Sequence, residues 1–237
     1  MNRVALITGA GSGIGRAIAV ALGGAGYTLA LVGRREEALQ ATAVLVGGSH
    51  ACIPADLREP AEASRIVDEC VARLGRLDVL VNNAGWSPPA TIGQTTPAIA
   101  HEVFALNAVA PCVSIARAWP VFERQHLERG AGGVVVSTSS MAVLDPFDVL
   151  YAYAGAKAAL HSFTQSAAKQ GAALGVRAYA VAPGAVETDL LRSVVSESLL
   201  PRDRTLSPGT IAGIVRDCVE GRRERDNGGV IWVPSGG

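Results

Sequence analysis

The chain has 237 residues, 49% hydrophobic and 18% charged, and its 21 basic and 21 acidic residues leave a formal net charge of zero. That is apolar material enough for one large core at the upper end of single-domain size, so residues 1–237 read as one domain. Balanced charge leaves no electrostatic footprint for a nucleic acid or an anionic membrane, and the Arg222–Arg225 cluster reads as a solvated helix end.

In chain order, short apolar and β-branched runs predict strands near 3–7, 28–32, 51–55, 77–82, 133–138, 176–181 and 230–233. Amphipathic stretches predict helices near 14–24, 35–46, 60–74, 97–129, 150–174 and 208–220. Alternation of this kind, with continuously apolar strands, implies an α/β fold of the Rossmann type: a doubly wound, seven-stranded parallel sheet with helices on both faces. Pro60 and Pro97 fall where a first helical turn accepts proline. Pro111 and Pro120 lie inside the fourth helical stretch, which must break, kink or divide there. Asn107 sits just upstream of that disturbance.

Cys52, Cys70, Cys112 and Cys218 are far apart, fall in apolar patterns and show no metal-ligand spacing, which suggests buried, reduced thiols and a cytoplasmic setting. The first strand begins within three residues of Met1, and the apolar stretches are interrupted by polar residues, so neither a signal peptide nor a membrane span is expected.

Two constellations carry chemistry. The apolar run Val4–Ile7 leads into Thr8-Gly9-Ala10-Gly11-Ser12-Gly13-Ile14-Gly15 and then a helical pattern, which reads strand, glycine turn, helix. Glycines there permit positive φ, let backbone approach a pyrophosphate and allow tight helix–strand packing, while the helix N-terminus offers free N–H groups to the anion. The second is Tyr153-Ala154-Gly155-Ala156-Lys157, which stacks a phenol and an ammonium one turn apart on one helix face. A free phenol has a pKa near 10, and a nearby cation favours the phenolate, so the pair reads as an acid/base couple with Lys157 depressing the Tyr153 pKa. The chain has only two lysines, Lys157 and Lys169, so the pairing is unlikely to be a surface coincidence.

Together these motifs resemble the classical short-chain dehydrogenase/reductase family, whose members carry Thr-Gly-x-x-x-Gly-x-Gly (here Thr8, Gly9, Gly13, Gly15) and Tyr-x-x-x-Lys. Further matches follow in the family's order: Asn82-Asn83-Ala84-Gly85 after an apolar strand, Asn107 in a helix, Ser139-Ser140, and Pro183-Gly184-Ala185-Val186-Glu187-Thr188. The resemblance spans nearly the whole chain and implies an oxidoreductase moving hydride between a nicotinamide and a carbonyl or secondary alcohol. It assigns catalysis to Asn107, Ser140, Tyr153 and Lys157. Ser140, not Ser139, has the family's spacing to Tyr153, and Asn107 would hold a water of the proton relay through its carbonyl. Tyr151 is set aside because Gly155 stands one turn beyond it.

The resemblance assigns the dinucleotide to Thr8, Gly9, Gly11, Ser12, Gly13, Ile14 and Gly15 at the phosphates. Gly33, Arg34, Arg35, Asp56, Leu57, Asn83, Ala84 and Gly85 would hold the adenosine half. Tyr153, Lys157, Pro183, Gly184, Val186 and Thr188 would hold the nicotinamide half, with Lys157 on its ribose. Gly33 falls where NAD-type members place aspartate, and the planar Arg34 guanidinium beside it suits a 2′-phosphate, so NADP(H) is expected and NAD(H) is the alternative. Ser12 departs from the basic residue many NADP-type members carry there, and an Asp56 capping the next helix is the competing reading of that residue. Two other departures are Tyr179, in place of a smaller polar residue, and Ser235, in place of an aspartate before Gly236-Gly237.

Substrate choice should come from residues 86–89, 141–151 and a patternless lid over 190–204. The first two are mostly apolar, whereas Arg192, Arg202 and Arg204 in the lid could receive a carboxylate or phosphate. A catalytically silent NADP-binding sensor or interaction protein on the same fold is the alternative function. An extended sugar-nucleotide epimerase lacks room for its C-terminal substrate domain. The resemblance further implies a homodimer or homotetramer, formed through the helices beginning near Pro97 and Leu150.

Overall fold

The computed structural model describes residues 3–48 and 50–236; Gly237 of the closing Gly-Gly lies outside them. Seven strands form one parallel sheet: β1 (Val4–Thr8), β2 (Thr28–Gly33), β3 (Ala51–Pro54), β4 (Val79–Asn82), β5 (Val134–Thr138), β6 (Arg177–Pro183) and β7 (Val230–Val233). Their order is β3-β2-β1-β4-β5-β6-β7. All five residues of β1, all four of β4 and all five of β5 are buried, as a sheet covered on both faces demands.

The helices are α1 (Gly13–Gly24), α2 (Glu36–Val46), α3 (Pro60–Leu74), α4 (Pro97–Phe104), α5 (Ala110–Arg129), α6 (Tyr151–Gly171), α7 (Asp189–Val194) and α8 (Pro208–Val219). Alternation along the strands sorts the core into two layers. Val4 and Leu6 of β1 pack with α3, α5 and α6, while Ala5 and Ile7 pack with α1, α2 and α8. Because β1 pairs with β2 through Ile7↔Leu31 and with β4 through Ile7↔Val81, the chain leaves β1 in opposite directions. The crevice at that switch point opens at the carboxyl ends of the strands.

The predicted helix 97–129 does divide, but not as a break at the prolines. Ala105–Val109 forms a π turn, with the Ala110 N–H bonded to the Ala105 carbonyl, and α5 then runs on through Pro120. An α-helical donor to the Asn107 carbonyl would be the N–H of residue 111, and Pro111 has none. By length and composition 97–129 is apolar enough to cross a membrane. In this fold its Ala118, Val121 and Phe122 pack into the core. Three expectations need correction. Cys112 is exposed on α5 and Cys52 only half-buried, so two of the four thiols are not core groups. Within the stretch read as patternless, Asp189–Val194 is a helix, capped by the Thr188 hydroxyl accepting the Leu191 N–H at 3.2 Å. Asp56 does not cap α3, whose N-cap is Glu59.

Candidate active site

A cleft of about 730 Å³ runs across the carboxyl edge of the sheet. Its floor at one end is the glycine turn, where Gly9 (φ +68°) and Gly13 (φ +51°) adopt backbone that other residues avoid. A Cβ on Gly9 would lie 2.9 Å from the Asn83 amide nitrogen. Ser12, the N-cap of α1, makes no side-chain capping bond, so the first-turn N–H groups are left for an anion. Gly9, Gly11, Ser12, Gly13 and Ile14 all border the cleft. Thr8 and Gly15 do not, and here the expected contact set is corrected. The Thr8 hydroxyl donates to the Val81 carbonyl (3.3 Å) and accepts the N–H groups of Asn83 (2.9 Å) and Ala84 (3.0 Å). Gly15 is pressed against the Gly9 carbonyl, where a Cβ would collide. Both residues shape the cleft from behind its wall.

At the ends of β2 and β3, Gly33, Arg34, Arg35, Asp56 and Leu57 border the same cleft. Neither Arg34 nor Arg35 forms an ion pair among the described residues, although Glu36 and Glu37 are next in sequence. Asp56 accepts from the Arg58 backbone N–H at 3.1 Å and from its guanidinium at 2.5–3.1 Å, which holds its carboxyl below the usual range. Arg58 itself borders the cleft and went unread in the sequence; an arginine two residues beyond an acid at a strand end was the available signal.

Further along, Tyr153 and Lys157 project from one face of α6, and Lys157 is 2% exposed. Its Nζ donates to the Thr138 carbonyl at 2.7 Å and stands 5.5 Å from the Tyr153 ring centroid. Thr138 is a second residue the sequence did not mark. Ser140 faces the cleft and accepts the Ala142 N–H at 3.1 Å. The Ser139 hydroxyl is committed elsewhere, donating to the Lys157 carbonyl (3.2 Å) and meeting His161 Nε2 at 2.8 Å. Tyr151 is 53% exposed and outside the cleft lining.

Burial pushes the Tyr153 phenol up to about 12, with the Ser140 hydroxyl pulling the other way. Burial also pushes the Lys157 ammonium down to about 7. The expected depression of the Tyr153 pKa by Lys157 is therefore not what this cleft produces: desolvation favours the neutral form of both groups.

Asn107 is fully buried in the π turn, and its Nδ2 donates to the carbonyls of Trp86 and Val103, each at 2.8 Å. Its Oδ1 is buried without a partner. A Cβ on Gly85 would lie 2.9 Å from that oxygen and 3.2 Å from Lys157 Nζ, so the glycine leaves both atoms bordering one small gap. Asn107 thus joins the site from behind Gly85, not from the cleft wall. Asn83, Ala84 and Gly85 line the cleft between the two halves.

Pro183, Gly184, Val186 and Thr188 border the cleft beside Tyr153. Gly184 is packed so closely that a Cβ would lie 2.8 Å from the Ser235 nitrogen, which brings the departing C-terminal residue into the site wall. The lid is latched. Arg192 forks onto Glu187 at 2.5 and 3.0 Å, its Nη1 donates to the Leu200 carbonyl at 2.8 Å, and Thr205 donates to Glu187 at 3.2 Å. Arg202 is paired with Glu197 at 3.1 Å. Neither Arg192 nor Arg202 borders the cleft, so the anion-receiving role left open for them in the sequence is not met here.

The short chain dehydrogenase family model matches residues 3–198. The chain is similar to the short chain dehydrogenase/reductase astE of Aspergillus oryzae, 32% identical over 201 residues, covering 83% of this chain and 76% of that one. It is 32% identical over 199 residues to glucose 1-dehydrogenase of Gluconobacter oxydans, covering 81% and 72%. Among solved structures, 3-ketoacyl-(acyl-carrier-protein) reductase from Brucella melitensis complexed with NADH superposes with a TM-score of 0.90 at 26% identity, covering 98% of this chain and 96% of that one. This chain belongs to the short-chain dehydrogenase family and is an oxidoreductase of it.

Proposed function

We propose that the protein is a carbonyl reductase or secondary-alcohol dehydrogenase that prefers NADP(H) over NAD(H), with Tyr153 as its general acid/base. The observation that carries this reading is the convergence of Ser140, Tyr153 and the buried Lys157 on one cleft whose other end is a glycine turn under an uncapped helix N-terminus. The cleft fits a dinucleotide: the glycines remove the side chains that would fill it, and the α1 N–H groups are available to a pyrophosphate. When bound, the nicotinamide supplies or accepts the hydride.

The chain's own residues do the rest. Gly9 to Ile14 hold the diphosphate, and Arg34 and Arg35, with no acid paired to them, take the 2′-phosphate. Asp56 and Leu57 meet the adenine, Asn83 to Gly85 back the centre, and Pro183, Gly184, Val186 and Thr188 orient the carboxamide. Lys157 holds the adjoining ribose. Ser140 donates to the substrate oxygen, and Tyr153, a protonated phenol at neutral pH, passes its proton to that oxygen as the carbonyl carbon is reduced. The gap at Gly85 between Asn107 Oδ1 and Lys157 Nζ is the path by which that proton is replaced. A silent dinucleotide binder would have no use for this convergence.

The test is oxidation of NADPH and of NADH by the purified protein across ketones, aldehydes and quinones, with Tyr153→Phe alongside. Turnover should be faster with NADPH and fall roughly 10²–10⁴-fold in the variant, while cofactor affinity is retained. Faster NADH turnover would overturn the cofactor preference, and equal turnover by the variant would remove Tyr153 from its role.

A further inference from the structure

The cleft is electrostatically divided. Its guanidinium groups, Arg34, Arg35 and Arg58, stand at the ends of β2 and β3, where the adenosine half would lie. Lys157 donates to the Thr138 carbonyl and, on the reading above, to the cofactor ribose. Beyond Ser140 and Tyr153 the wall is apolar, built by Trp86, Met141, Phe147, Leu150, Leu190 and Val195. Among the described residues, Asp145, between Met141 and Phe147, is the carboxylate on that wall, and it is in no ion pair; the cleft's other free acid, Asp189, follows Thr188, which packs against Gly13 at the glycine turn. The lid's cations do not balance Asp145: Arg192 is latched to Glu187, and neither Arg202 nor Arg204 borders the cleft.

From this we infer, resting on the reductase reading above, that the substrate is a neutral, largely hydrophobic carbonyl compound or one bearing an ammonium group, and that Asp145 discriminates against carboxylate-bearing substrates. A carboxylate within roughly 8 Å of the exposed Asp145 is repelled by enough to weaken binding about twofold to tenfold, an effect that salt screens. The apolar wall supplies the affinity, and Asp145 sets the sign of charge that is tolerated.

Three ketones on one scaffold test this: methyl 4-acetylbenzoate, 4-acetylbenzoate and 4-(aminomethyl)acetophenone. Their binding to the NADP⁺-saturated protein would be titrated by calorimetry at low salt and pH 7, for wild type and Asp145→Asn, an exposed loop position. The expected order puts the ammonium compound level with or tighter than the ester and the carboxylate at least about twofold weaker, with the ester-to-carboxylate gap narrowed in Asp145→Asn. A carboxylate that binds as tightly as the ester overturns the inference, as does a gap unchanged in the variant or no binding by any of the three. Turnover of the same ketones with NADPH is scored separately, so the expected order without turnover sinks the reductase reading and leaves the charge selection standing.

Discussion

Lys157 is expensive where it sits. Its ammonium is 2% exposed with one carbonyl for a partner, and burial alone moves its pKa from 10.5 to about 7. A lysine with a lowered folded pKa binds its proton more weakly in the folded chain than in the unfolded one. Stability should therefore rise with pH between about 7 and 10.5, the full cost being felt below that window. Lys157→Met should raise the urea midpoint of the protein without cofactor at pH 6.5, a gain of about 1–2 kcal/mol in unfolding free energy that should shrink by pH 10. Activity should be lost in the same variant, and a lowered midpoint would overturn the account. The Tyr153–Lys157 pairing was legible as a four-residue spacing, because helix geometry places such residues on one face. The direction of both pKa shifts was not, because it comes from burial, which elements distant in sequence supply.

The seven strands and most helices followed from local pattern to within a residue or two, apart from the carboxyl end of α6, three residues short of expectation, and α7, which was not read. What the pattern concealed were the features made by a missing atom or a long-range pair. The π turn at Ala105–Val109 is one: the prolines announced a disturbance, but an apolar run does not say whether a helix kinks or bulges. Since Pro111 withholds the donor that the Asn107 carbonyl would use, Pro111→Ala should let α4 and α5 join as regular helix and turn Asn107 away from Gly85. Its kcat should fall roughly tenfold to a hundredfold, while its thermal midpoint is not lowered. An unchanged kcat would mean that Asn107 is held by Trp86 and Val103 alone. The latch between Glu187 and Arg192 was hidden for a related reason: a spacing of five matches neither a helix face nor a strand, so the lid read as patternless.

For the molecule as a whole, zero net charge removes long-range repulsion between copies, and an apolar face is available for contact. Phe104, 41% exposed, lies over Gly155 of α6, with Val109 and Tyr151 also exposed on these neighbouring helices. We expect light scattering to give a mass of two or four chains and Phe104→Glu to shift it downward; a wild-type monomer would refute assembly through this face. The strand order has another consequence. β1 takes β2 as its first partner soon after synthesis, yet its second partner, β4, comes only after α2, β3 and α3 have been made. A nascent chain that has emerged as far as β3 already possesses the glycine turn, but no opposite bank to the crevice and no Tyr153. Catalytic competence therefore arrives late in biosynthesis, after pairings of long sequence separation that fold slowly, and a prematurely terminated chain would be an unfinished groove and not a weak enzyme.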